Sequence, residues 1–549
     1  MLRKWLWGVG VAAMLLGALP AYGKIYYVAP DGTPEGDGTR EKPFSMSHVL
    51  KAVQLQPGDE VVFLDGVYNI GKTGPLAISS VGTVKAPVIY RAENRHKAIL
   101  DGGTPLTGWR RVPGEAPIWE CRVAQEPQSL LVNGDGLVNA GSEWHRRDGK
   151  KTLEEGMFGA VKEEKDFLVQ IYPWAGQEPR EVYALANQLV QVGGAFNVVD
   201  GFICRRAVHG IHLSGRAVHT YKIEPGIYFD LCGMNHNVFG SFNIVRHCIV
   251  RDTPGQGMTS NESRFNLIED CIIYNAGQGQ GCHGIYISQG AENLTLRRNI
   301  WWRTSGGAIH IYSGSGTDSP RGIVVEYNIF GPDKRNRCFP IKNRKSAALY
   351  VWGGQRWAGH NRIVHNLIIG PHDRAISLNR CNFNLIANNT FLNSDGAPIQ
   401  VGSGFGNIIV NNIIEYAPGG QEAGAQEHPA GYCWFAFDPT HAKSLSIFSR
   451  NLLLPRGDQG RDLPPYAGDS IVSTADPFVN RAVLDLRLKP GSVAVDMGLP
   501  IPFVTDNAKD NKPDAGALEL GEEIYGEKGK FPEIPPWLLT EWPISRRGQ

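Results

Sequence analysis

IVHNLII (363–369), IANNTF (386–391) and IVNNII (409–414) repeat one pattern: apolar residues, an asparagine, then more apolar residues. Asn366, Asn389 and Asn412 follow one another at steps of 23 residues. Working towards the N-terminus, VEYNIF carries Asn328 and LRRNIW carries Asn299, while IEDCII and VRHCIV put Cys271 and Cys248 in the same frame. The intervening steps of 38, 29, 28 and 23 residues are the same unit of 23 with loop insertions. DGFI at Gly201 and FSRNLL at Asn451 extend the register at either end.

Each unit holds two or three short strands and no helical period, and the 66 glycines also point away from helices; Ser47 to Leu55 is the one helical candidate. Leucine-rich, ankyrin and tetratricopeptide arrays each need a helix or a different period, and propeller blades need 40 to 50 residues. A strand-only unit that stacks on itself is one coil of a parallel β-helix, with neighbouring coils about 4.8 Å apart. Stacked asparagines then hydrogen-bond from coil to coil as in cross-β ladders. The cysteines at 248 and 271 mark the ladder's end in a drier interior. The expected class is all-β: a parallel β-helix with a small inserted β-domain near the N-terminus.

Outside the coils, MLRKWLWGVGVAAMLLGALPAYG (1–23) has the basic, apolar and small-residue layout of a signal peptide cleaved after Gly23. Its apolar core is short for a membrane span. The expectation is a secreted or periplasmic protein with no membrane partner after cleavage. The formal charge of +1 becomes −1 without Arg3 and Lys4, which gives no electrostatic case for nucleic acid. Nine cysteines, an odd number without zinc-like spacing, read mostly as small buried thiols.

YYVAPDG (26–32), GTREKPF (38–44), PGDEVVFLDGVY (57–68) and APVIYRAENRHKAILDG (86–102) resemble the entry coils of the pectin-lyase-like superfamily of secreted right-handed parallel β-helix proteins. LRLKPGSVAVDMG (486–498) and PDAGALEL (513–520) resemble its exit signature. The resemblance implies the fold and leaves activity open, because this scaffold carries lyases, hydrolases, epimerases, esterases and non-enzymes. The Lys and Arg strand motifs of alginate lyases and chondroitinase B are missing from this chain. So are the Asp-Pro-His motif of mannuronan epimerases and the paired-aspartate strand of polygalacturonases.

The expected organisation is a signal peptide (1–23), a cap with the first coils (24–105) and an inserted β-domain (106–195). Central coils (196–415), C-terminal coils and loops (416–520) and a Pro-rich tail (521–549) complete it.

After each ladder position comes an alternating strand: HGIHLS (209–214), HGIYIS (283–288), GAIHIY (307–312), AALYVW (347–352) and RAISLN (374–379). Period two turns Ile211, Ile285, Ile309, Leu349 and Ile376 inward. His212, Tyr286, His310, Tyr350 and Ser377 then form one outward column, and Ser214, Ser288, Tyr312, Trp352 and Asn379 a second. Aromatic faces in a row suit sugar rings, and His and Tyr can act as base and acid; such residues also ladder on a sheet merely to stabilise it.

The candidate catalytic residues are His283, Tyr286, His310 and Glu262. The candidate substrate contacts are His212, Tyr312, Tyr350, Trp352, Arg264, Arg303 and Arg344, with Lys342 a further cation. Three readings stay open. A lyase acting on a uronate-containing polysaccharide needs a base and a neutralising cation, which Ca²⁺ held by Glu262 or Asp252 could supply. A glycoside hydrolase needs two carboxylates, drawn from Glu262, Glu224, Asp230 and Asp252. A non-catalytic carbohydrate-binding β-helix needs neither. All three imply a polysaccharide or oligosaccharide partner.

Overall fold

The computed structural model describes residues 23–140, 153–214, 240–278, 282–304, 306–312, 319–333, 347–353, 358–372, 374–394, 396–402, 404–416, 446–457, 462–463, 467–508, 512–526 and 529–540, and the backbone of 435–437. Residues 1–22, on which the signal-peptide expectation falls, lie outside them.

Three long sheets form the walls of a solenoid. One coil runs through Leu267–Glu269 of a first sheet, Ile272–Ala276 of a second and Ile285–Ser288 of a third. Each strand pairs in parallel with its counterparts in the coils before and after, for example Leu267 with Ile244 and with Thr295. A solenoid of this kind needs two abrupt corners, and each is made by a residue with positive φ. At the corner between the first and second sheets these are His247, Asp270, Arg298, Tyr327, His365, Asn388, Asn411 and Arg450, with φ between 50° and 58°. Such a conformation is uncommon outside glycine, so something must hold the corner in place.

The residue that follows each of these corners does so. The amide of Asn328 donates to Oδ1 of Asn366 at 3.0 Å, Asn366 to Asn389 at 2.9 Å, Asn389 to Asn412 at 2.9 Å and Asn412 to Asn451 at 3.0 Å. Every one of these asparagines is fully buried. A buried amide satisfied on all sides is stabilising, whereas one lost partner leaves several groups stranded. At the N-terminal end the series passes from Asn299 to Cys271 and Cys248, whose amide donates to Sγ of Cys271 at 3.4 Å. The register beyond differs from the expectation by one residue. Ile203 pairs with Ile249, so Phe202, not Gly201, takes the next ladder place, and burial of its ring fits the drier end.

A second ladder occupies the corner between the third and first sheets. The amide of Asn197 donates to Asn243, Asn243 to Asn266, Asn361 to Asn384 and Asn384 to Asn407. Inside the coils, Ile211, Met258, Ile285, Ile309, Leu349 and Ile376 line one continuous apolar core. The helix at Met46–Ala52 covers its N-terminal side, capped by the Ser45 hydroxyl. The C-terminal segment from Phe478 to Leu538 packs as a separate apolar layer over Tyr274, Ile300, Trp302 and Ile329 of the second sheet.

Between Gly103 and Leu185 the chain leaves the coils as mainly antiparallel strands, with one parallel pairing of Val138 to Met157, and with their own core of Cys121, Leu130, Val132, Phe158, Val169 and Ile171. The return is made within one strand, Val182–Val192. Its first half pairs with Leu130–Val132, and Val190 to Val192 join the third sheet beside Ile211 to Leu213.

Candidate active site

The third sheet presents the aromatic and histidine side chains, and its register aligns them. His212 pairs with Thr259, Thr259 with Tyr286, Tyr286 with His310, His310 with Tyr350 and Tyr350 with Ser377. Ser214, Asn261, Ser288, Tyr312, Trp352 and Asn379 form the neighbouring column in the same pairings. The inward partners Ile211, Ile285, Ile309, Leu349 and Ile376 are buried, so alternation leaves these two columns on the outer face.

At the centre three rings meet. His310 lies with its ring centroid 5.5 Å from Tyr286 and 4.4 Å from His283, and His283 stacks over Tyr286 at 5.7 Å and 13°. His283 is three residues ahead of Tyr286, where the chain enters the strand through Gly284; it is buried, and its amide donates to Oε1 of Gln256 at 2.7 Å. Its Nδ1 is 2.7 Å from the carbonyl of Gly306, and its Nε2 is 2.8 Å from Nδ1 of His310. A carbonyl can only accept, so Nδ1 of His283 carries hydrogen. With both imidazoles neutral, each has one N–H, so Nε2 of His283 is the acceptor and His310 donates from Nδ1. The lone pair of His310 is thus at Nε2, the basic position of the pair, and that atom is buried in this structure.

Around this centre Tyr312 lies 5.3 Å from His310, Tyr350 lies 5.7 Å from it, and Trp352 meets Tyr312 edge-on at 5.5 Å. Trp352 is 41% exposed, so this end of the platform is open to a ligand. His212 stands two coils towards the N-terminus, and burial lowers its pKa to about 4. His209 occupies the place in HGIHLS that His283 has in HGIYIS, and its Nδ1 accepts from the amide of Gln256 at 3.0 Å. Burial, then the neighbouring His212, lowers it to about 4 as well.

The other candidates fall elsewhere. Glu262 follows Asn261 in a left-handed turn (φ 51°), beyond both columns. Arg264 is at the corner between the third and first sheets, 3.7 Å from Glu292, whose carboxylate also takes Arg321 at 2.7 Å. Arg303 lies 5.9 Å over the ring of Tyr274 on the second sheet, because it ends the strand Ile300–Trp302 there. Both arginines thus lie off the two columns of the third sheet. Asp252, weighed for Ca²⁺, accepts from Asn275 on one oxygen at 2.6 Å and from Arg251 on the other at 2.8 Å. Among the described residues no three His, Cys, Asp or Glu side chains cluster as metal ligands. Arg344, Lys342, Glu224 and Asp230 lie outside the described residues.

Arg374 was not singled out in the sequence. It opens the strand Arg374–Asn379, in register with Ala347, and is the one Lys or Arg in the strands Ala207–Ser214, Met258–Asn261, Ile285–Ser288, Ile309–Tyr312, Ala347–Trp352 and Arg374–Asn379. Those six strands contain no Asp or Glu.

The family model for the right handed beta helix region matches residues 209–330, the segment that carries the three rings. No curated protein sequence matches the chain. Among solved structures, pectate lyase Pel9A is 14% identical, with 91% of this chain and 97% of that one covered and a TM-score of 0.52. The complex of XylC with xylose is 13% identical, covering 79% and 76% with a TM-score of 0.43, and a glycoside hydrolase is 13% identical, covering 78% and 93% at 0.44. The chain therefore has the right-handed parallel β-helix fold.

Proposed function

We propose that the chain is a polysaccharide lyase that cleaves a uronate-containing glycan by β-elimination, with His310 as base and Tyr286 as acid. One observation carries this reading: the hydrogen bond from His310 to His283, itself fixed on the Gly306 carbonyl, leaves a lone pair at Nε2 of His310 beside the Tyr286 ring. In the reaction the substrate must first uncover Nε2 of His310, which is buried in this structure; Nε2 then takes the proton α to the carboxylate. That C–H electron pair becomes the new ring double bond, the glycosidic C–O bond breaks, and the leaving oxygen takes the Tyr286 proton. His283 accepts from His310 throughout and stabilises the imidazolium that forms.

The substrate carboxylate must be neutralised for its α proton to become acidic. Arg374 is the cation that the sheet itself offers, two coils beyond His310. Tyr312, Tyr350 and Trp352 supply apolar surface for neighbouring sugar rings. Hydrolysis would require two carboxylates across the scissile bond, about 5 to 9.5 Å apart, and the six strands provide none. A pectate lyase uses the same scaffold, which makes it compatible with elimination without being diagnostic. Export through residues 1–23 would bring the enzyme to such a polymer.

The test is a panel of pectic, alginate, glycosaminoglycan and neutral polysaccharides followed for ultraviolet absorbance and reducing ends together. Both signals rising in step support elimination. Reducing ends without absorbance would replace it with hydrolysis, and neither signal would leave a carbohydrate-binding β-helix.

A further inference from the structure

The inserted β-domain touches the coils at one of the loops that lead into the ring cluster. Its turn at Gly134 and Gly136 meets Gln278, which is buried in the loop before His283. The amide of Gly136 donates to Oε1 of Gln278 at 2.6 Å, and Nε2 of Gln278 donates to Oδ1 of Asn275 at 3.0 Å and to the Gly134 carbonyl at 3.3 Å. Nδ2 of Asn275 donates to that carbonyl at 2.8 Å and to Asp252 at 2.6 Å. The fit is close: a Cβ on Gly136 would stand 2.5 Å from Cβ of Pro254.

From Gln278 the contacts continue to the histidines. The amide of Gln278 donates to the Pro254 carbonyl, and that of Gly277 to the Thr253 carbonyl. The carbonyl of Gly277 accepts from the amide of Gly306 at 2.9 Å, and the carbonyl of Gly306 accepts from Nδ1 of His283. Neither glycine tolerates a side chain. Gly277 has φ 70° with the His283 backbone 2.6 Å from its would-be Cβ, and Gly306 has the Cys282 carbonyl oxygen 1.6 Å away. The carbonyl that decides which nitrogen of His283 is protonated therefore belongs to a residue anchored on the loop that the inserted domain clamps.

We propose that Gln278 is a positioning residue through which the inserted β-domain fixes the proton arrangement of the His283–His310 pair. The inference rests on the reading of that pair as the acid–base centre. Without the clamp, residues 277 and 306 shift, the Gly306 carbonyl turns away, and His283 is free to carry its hydrogen on Nε2. His310 then faces a donor, gives up its Nδ1–H form, and no longer has its lone pair at Nε2. The inserted domain thus acts on the centre without contributing a reacting atom.

The experiment is a long-range ¹H–¹⁵N correlation spectrum of the full chain labelled at histidine, recorded near pH 8 for the wild type, Gln278→Ala and Gly136→Ala. The wild type should show both His283 and His310 protonated at Nδ1 and bare at Nε2. Both variants should lose most of that population in favour of Nε2–H. Gly136→Ala keeps the Gln278 side chain and displaces only the turn that grips it, so it carries the test if Gln278→Ala fails to fold. Folded variants with wild-type tautomers would overturn the proposal. A wild type without the Nδ1–H signature would instead sink the acid–base reading of the pair, a separate failure.

Discussion

Tyr286 and His310 are register partners on adjacent parallel strands, with ring centroids 5.5 Å apart at 61°. Parallel stacking holds them there independently of any ligand, so the proposed acid and base stand on a scaffold whose core does not depend on either.

Replacing Tyr286 by Phe removes the hydroxyl proposed as the acid and keeps the ring. Turnover should fall by roughly 10² to 10⁴, the usual worth of a positioned acid or base. The far-ultraviolet circular dichroism and urea midpoint should stay at wild-type values. Full turnover would remove the hydroxyl from the mechanism.

Trp352 is the exposed end of the platform. Trp352→Ala should weaken binding of an oligosaccharide substrate by about 1 to 2 kcal/mol, in the range of one lost aromatic contact, with unfolding unchanged. Calorimetric titration in an inactive background reads the difference, and an unchanged affinity would place the sugar elsewhere.

The first ladder predicts a steep local cost. Asn366 accepts from both the amide and the side chain of Asn328 and donates to the carbonyls of Val325 and Val364. Asn366→Ala strands several buried groups at about 1 to 3 kcal/mol each, so a loss of at least about 3 kcal/mol is expected in urea unfolding. Asn366→Cys should cost less, because Cys271 already accepts an amide from the ladder.

Acid should loosen the N-terminal half of the site. His209 and His212 titrate near 6.5 when unfolded and at about 4 when folded, since burial disfavours the charged ring. Their folded pKa lies below the unfolded one, so the unfolded state binds more protons between the two values. Stability is then complete above pH 6.5 and falls as pH drops towards 4, by up to about 1.4 kcal/mol per pH unit for each group. Urea midpoints at pH 7.5, 5.5 and 4.5 should show this fall, and His212→Gln should flatten it.

The coils and both outward columns are legible in the sequence because two periods coincide there. A repeat of 23 aligns the strands, and alternation within them assigns Ile285 and Ile309 inward and Tyr286 and His310 outward. The second ladder left a signal too, in FNIV at Asn243, FNLI at Asn266 and FNLI at Asn384, where asparagine precedes rather than interrupts the apolar run. The contact between His283 and His310 could not be read this way, since His283 lies before the strand and reaches the sheet face through a bend at Gly284. Gln256 and Gln278 act from loops, whose paths no period fixes. Arg264 and Arg303 resemble free cations in the sequence; only the fold brings Glu292 to one and the Tyr274 ring to the other.

The central claim is that His310 abstracts the proton. On the first polysaccharide the wild type cleaves, wild type and His310→Ala should be compared side by side by ultraviolet absorbance, with circular dichroism to verify the fold. The account predicts unsaturated ends from the wild type and a folded His310→Ala at least about 10² slower. A folded His310→Ala that releases unsaturated ends at the wild-type rate would contradict it.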